Sequence, residues 1–325
     1  MRSVHVIIAV TVLVVPASAF ALTRATGAAG SATAAAATPL PVLVTPKQVS
    51  LGDAIEVAGQ APAVGTGGQV VLEARYGRQS AWQRLSTTFV TRHGTFAFHA
   101  HPRHSGLLRA VPAGGHMAAT APGGTRTIVA KTSPDDVASR RVTSFKVAAE
   151  MRATRRQHDV LAGDPVYVAG RLLPGRAGRT VALQGHSAAG WRTLAHARTG
   201  GRGGFAVRYT PGATGIGRHL RVLFKGDRGN ARSVDGAGAM TVYQQSLASW
   251  YQDGGSTACG FHAGLGVANK TLPCGTKVRF RHAGHTVTAT VDDRGPYVGG
   301  REWDLNQNTA AALGFDGVGT VWSAN

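Results

Sequence analysis

Residues 266–276 read Gly-Val-Ala-Asn-Lys-Thr-Leu-Pro-Cys-Gly-Thr, and this stretch decides how the C-terminal part of the chain is interpreted. The strand-like run Lys277–Phe280 follows it, and a second run, Thr286–Val291, leads into Asp292-Asp293-Arg294-Gly295-Pro296-Tyr297. One helix signal comes next and ends at Leu313-Gly314, where glycine is an ordinary stop residue. Short strands, tight turns and one helix predict a small β domain over residues 244–325.

Four pieces of this domain occur in a fixed order: Ala248-Ser249-Trp250-Tyr251, Thr271-Leu272-Pro273-x-Gly275-Thr276, Asp293-Arg294-Gly295-Pro296 and Asp304-Leu305. Together they resemble the double-psi β-barrel of rare-lipoprotein-A (RlpA) proteins, which is related more distantly to expansins and barwin. The resemblance implies a six-stranded barrel with a groove that holds a glycan strand. It also implies a reaction on the peptidoglycan backbone.

A lytic transglycosylase needs a carboxylic acid that protonates the leaving oxygen and then accepts a proton from the sugar's own C6 hydroxyl. One carboxyl group suffices, whereas ordinary glycoside hydrolysis usually uses two. By the resemblance, Asp293 and Asp304 line the groove floor and are the candidate catalytic residues. Structural alternatives exist for each position. Asp304 or Asn306 could cap the helix, Asp293 could pin the turn, and Arg294 could pair with a carboxylate.

The residues expected to contact the glycan are Trp250, Tyr251, Thr257, His262, Asn269, Arg294 and Tyr297. The chain departs from active RlpA proteins near this groove. Phe261 and His262 stand where those proteins carry an acidic residue, and Asn269 stands where they carry a histidine. Asparagine can hold a sugar hydroxyl but cannot carry a proton. The sequence therefore supports a lytic transglycosylase and, as the alternative, a non-catalytic expansin-like or glycan-binding module.

The only two cysteines are Cys259 and Cys274. An even count in an exported chain favours a disulfide, because the compartment is oxidising. A zinc site is disfavoured, since two thiols without neighbouring ligands cannot fill four coordination positions.

The N-terminus predicts export. Arg2 and His5 precede the apolar run Val6–Val15, and two small-x-small sites follow within 17–21. This pattern predicts a signal peptide over residues 1–21, since a membrane-spanning helix needs about 20 apolar residues. Residues 22–39, rich in Ala, Gly, Thr and Ser, are predicted to form a flexible linker. We expect a secreted, wall-associated protein that has no integral membrane span after signal cleavage.

An internal repeat fills the middle of the chain. Residues 51–59, LGDAIEVAG, match residues 162–170, AGDPVYVAG, and the correspondence extends to Trp82 with Trp191. Alternating apolar residues between glycine-rich turns predict β-strands. We expect two immunoglobulin-like β-sandwiches at 40–148 and 149–243, ahead of the barrel, so the predicted fold class is all-β. Trp82 and Trp191 are interpreted as core or strand-edge packing.

The formal net charge of +19 is unevenly distributed. From Ser246 onward six basic residues balance six acidic ones, which leaves 29 basic and 10 acidic residues upstream. A basic surface attracts anionic partners, so wall polymers such as teichoic acids are candidates, although the charge could serve solubility alone.

Three histidines, His99, His101 and His104, lie close together in the first repeat. A metal site is disfavoured because no carboxylate stands nearby and the second repeat has Arg208 and Thr210 in place of the first two. No metal, nucleotide or other cofactor is predicted.

Overall fold

The computed structural model describes residues 38–77, 80–113, 141–252 and 254–325. Within these ranges the chain forms twenty-one β-strands, one 3₁₀ turn (Pro62–Val64) and one α-helix, so the all-β fold class is confirmed. The predicted signal peptide and nearly all of the predicted linker lie outside the described residues. No helix in the described ranges is long and apolar enough to span a lipid bilayer.

The first repeat consists of two sheets. One contains β1 (Val42–Thr45), β3 (Ile55–Gln60) and β6 (Thr95–Ala100). The other runs in the order β2 (Gln48–Ser50), β8 (Thr143–Ala148), β7 (Gly106–Pro112), β4 (Gln69–Arg75) and β5 (Gln83–Phe89). Alternate residues of both sheets, such as Val57 and Leu72, meet in a single hydrophobic cluster. The two sheets therefore share one core, as the period-two pattern predicts.

The second repeat has the same strand order as the first. Its smaller sheet contains β9 (Glu150–Ala153), β11 (Val166–Leu173) and β14 (Gly204–Tyr209). Its larger sheet runs in the order β10 (Arg156–Leu161), β16 (Ser233–Tyr251), β15 (Gly215–Phe224), β12 (Thr180–Ser187) and β13 (Gly190–Arg198). Both sheets again share one core. The immunoglobulin-like assignment and the domain boundaries stay predictions.

The C-terminal region is a closed barrel. Its strands are the end of β16, β17 (Gly266–Ala268), β18 (Lys277–His282), β19 (His285–Asp293), β20 (Trp303–Asn306) and β21 (Gly319–Ala324). Pairing runs in the order β16, β20, β17, β19, β18 and β21, and β21 pairs back to β16. Helix α1 (Gln307–Leu313) packs on this ring, which encloses a third hydrophobic cluster. The predicted six-stranded barrel with one short helix is confirmed.

Strand β16 links the second repeat to the barrel without an intervening loop. Its first part pairs with β15 and β10, and its last part pairs with β20 and β21. An ion pair of 2.9 Å between Arg281 of the barrel and Asp159 of β10 supports the same junction. The tyrosine ring of Tyr243 and the indole of Trp322 pack together beside it. These contacts fix the orientation of the barrel relative to the second repeat.

A second junction joins the two repeats through the loop that follows β15. Its Asp227 carboxylate accepts hydrogen bonds from Arg176 and from the buried Arg179. Asn230, in the same loop, accepts from Arg179 and donates to the carbonyl oxygen of Arg103 in the first repeat. Burial alone would raise the pKa of Asp227, but the backbone N–H donors and the two guanidinium groups outweigh it and lower that pKa.

Two of the three clustered histidines, His101 and His104, have different neighbours. The His101 ring lies 3.1 Å from the carbonyl oxygen of Gly52, and the His104 ring packs edge-on against Tyr76. The described residues contain no group of three potential metal ligands.

Replacing Asp227 with asparagine is expected to lower the free energy of unfolding by about 1–3 kcal/mol at neutral pH. Because the folded-state pKa is lowered, this stabilisation is present above the ordinary aspartate pKa and is lost as pH falls through the folded-state value. Urea unfolding at neutral and acid pH measures both effects, and the two proteins should converge in acid. The control is Glu150→Gln, which breaks an exposed pair with Arg152 and should change stability by less than about 0.5 kcal/mol. Equal effects of the two substitutions would contradict the prediction.

Candidate active site

Two carboxylates flank one small residue at the edge of the barrel. Ala268 of β17 pairs with Asp304 of β20 on one side and with Asp293 of β19 on the other. Residues that pair directly across strands project from the same face of a sheet. Since neighbouring strands lie about 4.8 Å apart, the two aspartate Cα atoms are roughly 10 Å apart, with only a methyl group between them. The two carboxylates therefore lie on either side of Ala268 on one face of the sheet.

A β-bulge places Asp293 in this position. Val267 pairs with Val291 and Ala268 pairs with Asp293, so Asp292 is an extra residue in β19. Asp292 is completely buried, and its carboxylate accepts hydrogen bonds from the N–H groups of Ala263 (2.8 Å) and Val267 (3.1 Å). A bulge redirects the side chains that follow it. Asp292 therefore anchors the 258–265 loop while Asp293 turns toward Ala268.

Asp304 has the electrostatic properties of a proton donor. It is half-buried, and burial together with the charge of Asp293 raises its pKa above the ordinary value. The Ser249 hydroxyl, which donates to Asp304 Oδ1 at 2.7 Å, and the Arg301 cation oppose that increase in pKa without cancelling it. Asp304 does not cap the helix, because the side chain of Asn306 accepts from the Thr309 N–H at 2.9 Å.

Asp293 is held by the backbone. Its Oδ1 accepts hydrogen bonds of 2.8 Å from the N–H groups of Ala258 and Arg294. The carboxylate therefore holds the turn, which was the structural alternative predicted for Asp293. It also lies near enough to Asp304 to raise the pKa of that residue. Both features apply to the same side chain.

The predicted disulfide is present between Cys259 and Cys274, whose Cα atoms lie 5.8 Å apart. It connects the loop after β16 to the loop before β18, and both loops border the acid pair. The Arg294 guanidinium lies 3.1 Å from Cys274 Sγ and donates to the carbonyl oxygen of Asn269. Arg294 therefore braces the loop before β18 against the end of β19.

Two of the residues expected to contact glycan are occupied by internal hydrogen bonds. Asn269 is 5% exposed; its Oδ1 accepts from the N–H groups of Thr271 and Leu272, and its Nδ2 donates to the carbonyl oxygen of Glu302. Thr257 donates to the carbonyl oxygen of Phe261 at 2.7 Å. In the structure both side chains shape loops.

The other expected contacts are spread around the groove. Tyr251 follows Ser249 on the same face of β16, whereas Trp250 lies on the opposite face, 40% exposed, and donates to Asp316. His262 and Tyr297 are exposed, Tyr297 almost entirely. The structure therefore brings Tyr251 toward the acid pair and does not place Trp250 on that face.

A cavity of about 430 Å³ lies against residues 269–272 and 300–303, next to the strand that carries Asp304. Lys270 and Arg301 give it two cationic side chains, and Glu302 gives it one anionic side chain. Arg301, Ser249 and Asp292 were not among the site residues predicted from the sequence. Of these three residues, only Ser249 could have been identified from the sequence, because it belongs to the Ala-Ser-Trp-Tyr motif.

Comparison with known proteins identifies the barrel. Residues 243–322 match the family described as "Lytic transglycolase", a double-psi β-barrel domain. The "Probable endolytic peptidoglycan transglycosylase RlpA" of Synechocystis sp. is 38% identical over 99 residues, and the match covers 27% of this chain and 31% of that protein. The chain thus matches about a third of the length of this relative. The RlpA-like resemblance of the C-terminal domain is confirmed.

One solved structure is described as "Crystal structure of tetra-tandem repeat in extending region of large adhesion protein". It covers 79% of this chain and 63% of its own, with 15% identity and a TM-score of 0.31. A likeness this small carries no argument about fold or function.

Removing the disulfide with the double substitution of Cys259 and Cys274 to serine is expected to destabilise the barrel. The bond spans 15 residues, and the chain-entropy estimate for such a loop is about 3 kcal/mol. Urea unfolding followed by Trp fluorescence measures the change, with the reduced wild-type protein as the control. A loss in the double variant without a similar loss on reduction would point to the serine side chains as the cause.

Replacing Ser249 with alanine is expected to raise the pKa of Asp304 further, because the substitution removes a hydrogen bond that favours the charged form. Carboxyl ¹³C NMR titration reads this pKa directly. Ser323→Ala is the control, since Ser323 bonds to Ser246 in the same barrel. An unchanged or lower Asp304 pKa in the Ser249 variant would contradict the role given to the hydroxyl.

Proposed function

We propose that this is a secreted, wall-associated protein whose barrel cleaves peptidoglycan glycan strands as a lytic transglycosylase. One observation carries the proposal: Asp304 is half-buried, has a raised pKa and faces a second carboxylate across Ala268. The RlpA relative, named as an endolytic peptidoglycan transglycosylase, supports the same substrate class. The disulfide agrees with an oxidising compartment outside the cytoplasm.

In the proposed reaction Asp304 begins protonated. It donates its proton to the glycosidic oxygen that leaves C1 of the MurNAc residue, and the C1–O bond breaks. The Asp304 carboxylate then accepts the proton of the C6 hydroxyl on the same sugar while that oxygen bonds to C1. The product is a 1,6-anhydro sugar, no water is consumed, and Asp304 is again protonated.

Asp293 has a different role in this scheme. Its negative charge keeps the pKa of Asp304 high. The same charge stabilises the positive charge that develops at C1 in an oxocarbenium-like transition state. Its two backbone hydrogen bonds fix it in place, so little reorganisation is needed during the reaction. Asp304 is therefore the proposed acid and base, and Asp293 the electrostatic partner.

Substrate binding is assigned to the groove around the two acids. Tyr251, His262, Arg294 and Tyr297 remain the proposed glycan contacts. The adjoining cavity adds Lys270 and Arg301, whose charges suit the carboxylates of peptide stems on the glycan. We also retain the two repeats as β-sandwich domains that carry the barrel, with the boundaries 40–148, 149–243 and 244–325.

A non-catalytic glycan-binding or expansin-like module is the second candidate, and the Asn269 geometry favours it. The Asn269 amide is buried and fully bonded, so the position where RlpA proteins carry a histidine offers no proton carrier. Phe261 and His262 also replace the expected acid. Under this alternative the groove binds glycan but breaks no bond.

Asp304→Asn is expected to reduce glycan cleavage by about 10²–10⁴-fold, because the amide cannot donate the required proton. The assay incubates purified sacculi with the protein and detects 1,6-anhydro muropeptides by mass spectrometry. Asp164→Asn, which removes an exposed carboxylate from the second repeat, is the matched control and should retain full activity.

Release of anhydro products by the wild type and the control, but not by the Asp304 variant, would support the transglycosylase. Reducing-end products without the anhydro ring would indicate ordinary hydrolysis. If neither the wild type nor the control releases any product while both sediment with sacculi, the enzymatic function is wrong and the second candidate stands.

A further inference from the structure

An arginine stacked on a tryptophan occurs at the same place in both repeats. In the first repeat the Arg109 guanidinium lies 4.3 Å from the centre of the Trp82 ring. In the second repeat the Arg221 guanidinium lies 4.1 Å from the Trp191 ring. Neither tryptophan belongs to a hydrophobic core cluster, and Trp191 is 37% exposed. Both stacks therefore lie on the outer face of the larger sheets.

The same local architecture builds each stack. Glu73 of β4 accepts from Arg109 Nε at 2.6 Å, and Gln184 of β12 accepts from Arg221 Nε at 2.8 Å. Each acceptor pairs with its arginine across neighbouring strands. Each also follows a register shift, between 72 and 73 in β4 and between 183 and 184 in β12. A repeated bulge with repeated partners makes an equivalent surface in each repeat.

The acceptor of the stacked arginine differs in charge between the two surfaces, and the first surface carries a second guanidinium, Arg75, 5.0 Å from the centre of the Trp82 ring. Glu73 neutralises Arg109 in an ion pair, whereas the neutral Gln184 leaves the charge of Arg221 uncompensated. The structure gives no hydrogen bond from the Nη atoms of either arginine to another described residue. Burial and the nearby Arg232 cation lower the pKa of Arg221. Each repeat thus presents a guanidinium stacked on an indole at the outer face of its larger sheet.

A cavity lies beside this second stack on the same sheet face. The outward pair Ala182 and Leu223 lies next to the pair Gln184 and Arg221 in the β12–β15 register. Ala182 and Leu223 are buried and line a cavity of about 410 Å³, together with the exposed side chains of Lys225 and His196. The ion pair of Arg176 with Asp227 also borders this cavity. The face therefore combines an aromatic platform, an apolar floor and the cations Arg221 and Lys225.

We propose that this outer face, Trp191, Arg221, Gln184 and the adjoining cavity, binds a linear polymer of polyol phosphate, with the Trp82–Arg109 stack as a second contact. Guanidinium groups bind phosphate oxygens through charge-assisted hydrogen bonds, and an indole face packs against the carbon atoms of a polyol. The upstream excess of 29 basic over 10 acidic residues steers such a polymer to this part of the chain.

The geometry favours a thin, flexible chain. The cavity lies next to the tryptophan stack in the β12–β15 register, and the equivalent stack in the first repeat offers a further contact for a long polymer. The binding site is separate from the acid pair of the barrel, so this proposal does not depend on catalysis there. Its choice of a wall polymer over nucleic acid rests on the proposed wall location.

The test changes the charge of the acceptor beside each stacked arginine. Gln184→Glu keeps an acceptor for Arg221 Nε but neutralises its charge, and it should weaken binding of poly(glycerol phosphate) by about tenfold. Glu73→Gln removes the neutralising charge from Arg109 and should strengthen binding. Isothermal titration calorimetry of the full protein at fixed salt gives the dissociation constants. Gln60→Glu, on an exposed position of the smaller sheet of the first repeat, is the charge-matched control.

Equal weakening by Gln184→Glu and Gln60→Glu would reduce the effect to overall charge and overturn the proposal. The absence of binding would also overturn the proposal, and so would preferential binding of duplex DNA of equal charge, measured in parallel. The two substitutions act in opposite directions on separate domains, so misfolding of one leaves the other as a test. Because calorimetry measures binding without turnover, these outcomes are distinct from failure of the sacculus assay.

Discussion

Backbone hydrogen bonding along a single strand holds the described part of this protein together. The nineteen residues Ser233–Tyr251 complete the larger sheet of the second repeat and then become a member of the barrel. Any rotation between the two domains would break ladder hydrogen bonds that have no alternative partner, and such losses are costly in a buried setting. The Arg281–Asp159 pair and the loop around Asp227 add side-chain contacts at the two junctions. The repeats and barrel therefore form a connected body in which the site has a fixed setting.

Within the barrel, the proposed chemistry depends on the different surroundings of three carboxylates. Asp292 is buried and anchors a loop, Asp293 is held by two N–H groups, and Asp304 is left with a single hydroxyl donor. The three carboxylates thus differ in their hydrogen-bond donors, and the surroundings of Asp304 raise its pKa. Divergent environments for neighbouring acids are typical of sites that divide proton transfer from charge stabilisation.

The sequence predicted the barrel, the disulfide and the all-β class because these depend on ordered motifs, cysteine count and alternation. It could not predict which side chains face the groove. The bulge at Asp292 shifts the alternation of side chains between the two faces of β19 by one residue. The sequence Asp292-Asp293 does not show where that shift occurs. Asn269 looked available for a sugar hydroxyl, but backbone donors two and three residues ahead occupy it, as in an Asx turn. The repeat alignment paired Trp82 with Trp191, yet their arginine partners come from a strand that only folding brings alongside.

The continuous strand also has a mechanical consequence. Because β16 runs through both domains, a polymer bound to the second repeat and a glycan strand bound to the barrel would be held at a fixed separation. The distance between the two binding sites would then be set by strand geometry, at about 3.3 Å per residue, and not by a flexible linker. The barrel would then act on glycan at a defined distance from the polymer that the second repeat binds.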